Sequence, residues 1–297
     1  MIPIFNANCG LKNRGTKVSE CYTKLGRPDG FINVDSTWSL PASGDLTQEV
    51  ILAEIKKGNF VPFNKAREFA TANEDDVYKT YAGGDKLLVR KGLIEMDFTY
   101  SNGRAWHGAA AANDHSGTKS CILVFKSGHL LFDSNADGTE LKGLRMSHQT
   151  TAPFKDNDGQ NPGETMIKIQ LTDTQAYNQN VVVVSEEDLG LDFSDAFAGA
   201  LDSYIEVVGN PAASETSIVV TVSPFANRSS KIAGIEEFKV SGQAVSAVVY
   251  DAATSQYTLT VDALTAGTKT ISLGAEGEFA AEVTERLYSG SRTITVS

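Results

Sequence analysis

The run Cys121-Ile122-Leu123-Val124-Phe125 constrains the fold most, because all five residues are apolar. A half-buried strand alternates apolar with polar residues, whereas a short continuous apolar run suits a strand buried on both faces. Ser127-Gly128 breaks the run, His129-Leu130-Leu131-Phe132 resumes it, and Ser134-Asn135-Ala136-Asp137-Gly138 breaks it again. Asp-Gly supplies the left-handed backbone that a tight hairpin needs, so residues 118–146 read as three consecutive antiparallel strands. No nucleophile, base or ligand cluster sits on this meander. It reads as the central sheet of a scaffold.

Residues 1–45 are irregular and rich in Gly, Asn, Pro and Ser, with a basic stretch at Lys12, Arg14, Lys17, Lys24 and Arg27. Such an arm has little core of its own and is expected to lie on its own domain or on a neighbouring subunit. Asp45 and Gln48 are spaced as a capping pair for a helix with a stripe of Leu46, Val50, Ile51 and Ile55, ended by Gly58. Residues 59–85 read as a mixed loop. Lys86–Tyr100 reads as strand, interrupted, if anywhere, at Gly92. Ile94, Met96, Phe98 and Tyr100 then share one face, Glu95, Asp97 and Thr99 the other. Ser101-Asn102-Gly103 is a hairpin signal.

Beyond the meander, Thr150–Gly163 is a Pro/Gly/Asp loop. Ile167, Ile169 and Leu171 alternate with Lys168 and Gln170, and Asn180–Ser185, which carries four consecutive valines, reads as another strand. Phe193, Phe197, Ala200, Leu201 and Tyr204 recur at helical spacing behind Asp192 and Ser194, which predicts a second amphipathic helix reaching nearly to Gly209. This pattern places about six strands and two helices in a first domain, residues 1–209.

Asn210-Pro211-Ala212-Ala213-Ser214 marks a boundary. Seven short runs follow, at Ser217–Val222, Ile235–Val240, Val245–Tyr250, Tyr257–Val261, Thr268–Leu273, Phe279–Val283 and Thr293–Val296. Even spacing of this kind predicts an immunoglobulin-like sandwich over residues 210–297, without the disulfide and tryptophan of antibody domains. The expected fold class is therefore mainly β: an antiparallel sandwich or barrel with one or two helices, followed by an Ig-like β-sandwich.

A formal net charge of -11 makes the chain a poor candidate for wrapping duplex DNA, which requires Lys and Arg to displace counterions. It suits a surface that DNA must pass without sticking, and it suits plain solubility. Residues 210–297 hold six basic and nine acidic residues, so most of the acidity lies in residues 1–209. Of three cysteines, Cys121 sits in the apolar run as a buried thiol, and Cys9 and Cys21 make no disulfide framework. MIPIFNANCG has neither a basic nor an apolar segment of a signal peptide, and no run approaches 18 apolar residues. Synthesis in a reducing cytoplasm is the expectation.

Asp133-Ser134-Asn135-Ala136-Asp137-Gly138 matches the first half of a calcium loop, with Asp133, Asn135 and Asp137 as candidate ligands. Leu144 stands where the closing bidentate Glu belongs, so a hairpin turn is the stronger reading. His107, His115, His129 and His148 lack the close pairing of zinc ligands. Asp156 and Asp158 lie in a turn-forming loop. No nucleophile elbow, Walker loop or HExxH is present. The expectation is a non-enzyme with no catalytic, metal or cofactor site.

The strand Lys86–Tyr100, the meander with FDSNADGTELKG at its second turn, the loop Thr150–Gly163, the strand Met166–Asp173 and the helix Phe193–Val208 together resemble the major tail tube protein of long-tailed bacteriophages. Such subunits often carry a C-terminal immunoglobulin-like domain. The resemblance implies a hexameric ring whose sheets join into one inner barrel, with rings stacked head to tail and the N-terminal arm reaching an adjacent ring. It further implies a virion tail location, the tape measure and tail terminator as partners, an acidic lumen that conducts DNA without binding it, and no membrane. Two other readings stay open: another virion part (head decoration, neck ring or fibre-base protein), and a carbohydrate-binding or adhesive module.

Overall fold

The computed structural model describes residues 5–6, 25–41, 46–134, 140–159, 162–172, 174, 177, 181–225, 227–284 and 286–297. The arm around Cys9 and Cys21, the cap residue Asp45, and Asn135 and Asp137 of the calcium-like loop lie outside the described residues. The fold is mainly β, in antiparallel sheets. By proximity of Cα atoms the chain divides into two compact units, Met1–Ile51 with Asn59–Ala198, and Leu52–Gly58 with Gly199–Ser297.

In chain order the first elements are β1 (Phe5–Asn6), β2 (Pro28–Asp35), β3 (Ser39–Pro41), α1 (Gln48–Lys56), β4 (Phe60–Phe63), β5 (Glu68–Thr71), β6 (Val77–Thr80), β7 (Lys86–Arg90) and β8 (Ile94–Tyr100). Then come α2 (Gly103–Ala111), β9 (His115–Ser116), β10 (Lys119–Phe125), β11 (His129–Ser134), β12 (Glu140–Lys142), β13 (Leu144–Thr151), β14 (Thr165–Leu171), β15 (Val181–Ser185), α3 (Glu186–Leu189) and α4 (Phe193–Ala196).

The central run is β10, buried from Ser120 to Phe125 as its composition requires. One edge pairs with β2 along its length, from Lys119↔Asp35 to Phe125↔Pro28. The other edge is shared. Ser120 and Cys121 pair with Arg145 and Leu144 of β13, while Leu123, Val124 and Phe125 pair with Leu131, Leu130 and His129 of β11. From this fork one arm runs β11–β15–β1 and the other β13–β14–β8–β5. The expected third strand of the meander is split at Gly143, where a Cβ would sit 2.6 Å from Val34 Cγ2 and 2.7 Å from the Ser120 Cβ.

Alternation sends Phe31, Cys121, Leu123, Met96, Phe98, Tyr100, Ile167 and Ile169 into one core. The Phe31 ring lies 5.0 Å from Phe63 and 5.1 Å from Phe98. Tyr100 Oη donates to the Phe63 carbonyl at 2.7 Å, so the buried phenol is satisfied. The other face of the same strands carries Ile122, Val124, Leu130, Phe132, Val182 and Val184, also buried.

Four expectations are corrected. Residues 59–85 are not a loop but hold β4, β5 and β6. Lys86–Tyr100 is not one strand: among the described residues β7 pairs only with β6, while β8 lies in the main sheet. Gly92 makes the break, since a Cβ there would fall 1.8 Å from the Glu74 carbonyl oxygen. Ser101-Asn102-Gly103 opens α2 instead of a hairpin, because Trp106 and Ala110, four residues apart, turn one helix face inward. The Trp106 ring packs 4.8 Å from Tyr100 and 6.1 Å from Phe63. Finally, the helix expected over Phe193–Val208 ends at Ala196. Gly199 takes a left-handed φ of +77 and residues 200–207 become a strand.

The second unit contains β16 (Ala200–Val207), β17 (Ser217–Pro224), β18 (Phe238–Val240), β19 (Val245–Asp251), β20 (Gln256–Val261), β21 (Gly267–Leu273), β22 (Ala280–Val283), β23 (Arg286–Ser289) and β24 (Ser291–Val296). All seven predicted strands are present, and β16 and β23 are additional. A six-stranded sheet in the order β19-β20-β17-β16-β23-β22 faces a three-stranded sheet, β18-β21-β24. Val220, Val222 and Leu259 from one and Phe238, Ile271 and Leu273 from the other form one core, which makes the unit a β-sandwich.

Candidate assembly surface

The chemistry-bearing residues do not converge. Among the described residues no group of three or more His, Cys, Asp or Glu is placed to hold a metal. His107 Nδ1 meets Thr165 Oγ1 at 3.2 Å, His129 Nδ1 meets Ser127 Oγ at 3.0 Å, and His148 Nδ1 meets Ser147 Oγ at 3.1 Å. His115 sits opposite Gln149 in register, and so on the other face of β13 from His148. Asp156 pairs with Arg104 at 2.5 Å on an exposed loop. Burial pushes the Cys121 thiol far above its ordinary range, so it is a structural thiol and not a nucleophile.

Around the calcium-like loop, β11 and β12 pair antiparallel through Asp133↔Lys142 and Ser134↔Leu141. Leu144, at the position of the missing ligand, is buried. Asp133 Oδ1 accepts from the Ser134 amide at 2.9 Å. These features are those of a hairpin.

A polar pair does lie inside the first unit. Asn33 Nδ2 donates to Gln149 Oε1 at 2.6 Å, with both residues buried. Asn33 Oδ1, Gln149 Nε2 and both ring nitrogens of His115 are buried without a hydrogen-bond partner among the described residues. Burial holds the His115 imidazole below its usual pKa, with Lys119 adding to the effect and Asp114 opposing it.

The surface that stands out is the β6–β7 hairpin, a two-stranded sheet that joins no other among the described residues. Val77, Tyr78, Tyr81, Leu87, Leu88 and Val89 are each between 39% and 60% exposed on it. Its tip closes through the Tyr81 amide to Asp85 O and the Gly84 amide to Tyr81 O, with Gly84 at φ +87. Its base is tied down. Ala72 and Glu74 donate their amides to Glu95 O and Leu93 O, which continues the β5–β8 ladder outward. Asp76 Oδ1 accepts from the Gly92 amide at 2.8 Å, and Arg90 pairs with Glu74 at 3.1 Å. A two-stranded hairpin alone is marginally stable in water, and exposed apolar clusters of this kind mark contact surfaces.

Two further features adjoin the hairpin. β5 ends its arm of the sheet, with one edge paired to β8 and, among the described residues, nothing paired beyond it. An open strand edge is a template for a strand from another chain. The face of β8 and β14 turned away from the core is charged, with Lys168 Nζ 3.7 Å from Glu95 and 3.4 Å from Asp97. No protein-family model matches the chain, and no curated protein does. Among the described residues, no helix is long and apolar enough to cross a membrane.

The first strand of the hairpin lies within residues 59–85, whose mixed composition looks like loop. The available signal was two β-prone runs, Val77–Thr80 and Leu87–Val89, on either side of Gly83-Gly84.

Proposed function

We infer that this chain is a structural subunit that assembles with copies of itself, in the manner of a tail tube protein whose hexameric rings stack into a DNA-conducting channel. One observation carries the reading: the anchored, exposed, apolar β6–β7 hairpin. Its six large apolar side chains are about half exposed. Covering them would contribute on the order of 5 kcal/mol or more per subunit. The open β5 edge beside it offers backbone pairing, and a ring of such sheets closed edge to edge would have no free edge left. The polar face of β8 and β14 and the acidity of the chain fit a lumen that repels the DNA backbone.

The test is negative-stain electron microscopy combined with sedimentation of the purified chain across a concentration series. Rings or tubes of sixfold symmetry are expected. A monodisperse monomer at high concentration overturns the reading, and a trimer or twelvefold ring replaces the tube with another kind of assembly.

A further inference from the structure

We propose that a cleft in the second unit binds a neutral saccharide, through one face of a pyranose ring and its hydroxyls. The cleft, about 490 Å³, opens where Gly290 carries the chain from β23 in one sheet to β24 in the other. That volume lies within the range of small-molecule sites. Phe225 and Phe279 both line it and are 52% and 41% exposed, although neither is needed to fill the core. Between them the wall is hydroxyl-rich, with Ser272, Ser289 and Ser291, and Asp202 adds a carboxylate.

The chemistry of the wall selects the ligand class. A phenyl face carries negative charge density and attracts the weakly positive C–H hydrogens on one side of a sugar ring. Serine hydroxyls both donate and accept, and a carboxylate accepts, which matches sugar hydroxyls, themselves donors and acceptors. A phosphate or other anion is disfavoured because the Asp202 carboxylate offsets the charge of Lys239, the cation among the lining residues, and leaves the wall with no net positive charge. An extended peptide would need a length of free strand edge; β16, β21 and β23 are each paired on both sides, and the sheet-edge strands β18 and β24 line the cleft with one residue each, Lys239 and Ser291. A lipid chain would need a continuous apolar wall, which the serines interrupt.

The inference does not depend on ring assembly, so its failure and that of the tube reading are separable. The test is saturation-transfer NMR on the full chain with maltose, cellobiose, lactose and chitobiose as probes, at up to roughly 10 mM. A polysaccharide co-sedimentation arm distinguishes a polymer-bound sugar from a free one. At least one probe is expected to receive saturation on its ring C–H protons. Phe225→Ala, Phe279→Ala and Asp202→Asn should each weaken binding about tenfold or more. Val249→Ser, on the exposed strand β19, should leave binding unchanged. Thermal unfolding checks each variant; if one fails to fold, the other two carry the test. No transfer to any probe, or transfer undiminished in the folded cleft variants, overturns the proposal.

Discussion

The Gly92 amide and the Asp76 carboxylate, 2.8 Å apart, hold the foot of the β6–β7 hairpin against the end of β8. Gly92 has no room for a side chain, and Thr174 Oγ1 donates to its carbonyl at 2.7 Å. The foot of the hairpin is thus fixed while the apolar side chains along its strands are left in solvent.

If those side chains form the contact surface, charge placed among them should abolish assembly and spare the fold. Leu87→Glu combined with Val89→Glu is expected to leave the unfolding temperature within a few degrees, because both residues are exposed. The oligomer should disappear in sedimentation velocity. Persistence of the oligomer in the double variant would move the interface elsewhere.

Loosening the foot should act through order and not through contact. Gly92→Ala drives a methyl into the Glu74 carbonyl and should raise amide exchange across residues 77–90, with less assembly. The Asp76 carboxyl is held below its ordinary value first by the Gly92 amide, with burial opposing it next and Lys91 and Tyr78 then adding to the lowering. Because the folded value is depressed, this contribution is present above the unfolded pKa of about 3.9 and is lost as pH falls through the folded value. Hydrogen exchange of the hairpin followed from pH 6 downward should show protection falling only in that acid range. Asp76→Asn should remove the transition.

His115 gives a second and distinct pH dependence. Its folded value is lowered by burial first and by Lys119 second, so below about pH 6.5 the unfolded chain takes up a proton that the folded one does not. Stability is full above that pH and declines as pH falls through the window down to the folded value. Denaturant unfolding at pH 7.5 and 5.5 should show the loss in the native chain and a smaller loss in His115→Gln. Equal losses would place the responsible group elsewhere.

In the second unit, Tyr257 Oη donates to the Ile232 carbonyl at 2.8 Å and accepts from the Ile235 amide at 3.1 Å, all within the core. Tyr257→Phe leaves both backbone groups buried without this partner. The expected cost is about 1–3 kcal/mol in denaturant unfolding, with the fold retained.

Much of this architecture is readable from residue order. Alternation located β8, β14 and the strands from β17 onward, and the unbroken run at Cys121–Phe125 announced a strand buried on both sides. The failed helix reading has a tertiary cause. Phe193, Phe197, Ala200, Leu201 and Tyr204 do recur at helical spacing, but Ala200–Val207 pairs with β17 on one side and with β23 on the other. Ladder bonds on two edges outweigh a local helical preference of a few tenths of a kcal/mol per residue. The hairpin was missed because its strands are exposed on both faces, which removes the apolar–polar alternation that marks a strand.

Local pattern thus specified the strands, their class and the absence of any recognised catalytic motif, because burial of one or both faces writes a period into the chain. Which strands meet, where β10 forks, and that an apolar hairpin and an aromatic-rimmed cleft are left open to solvent depend on residues far apart in sequence. Those outcomes belong to the packed structure, since pairing and exposure are properties of neighbours in space that no single stretch of chain encodes.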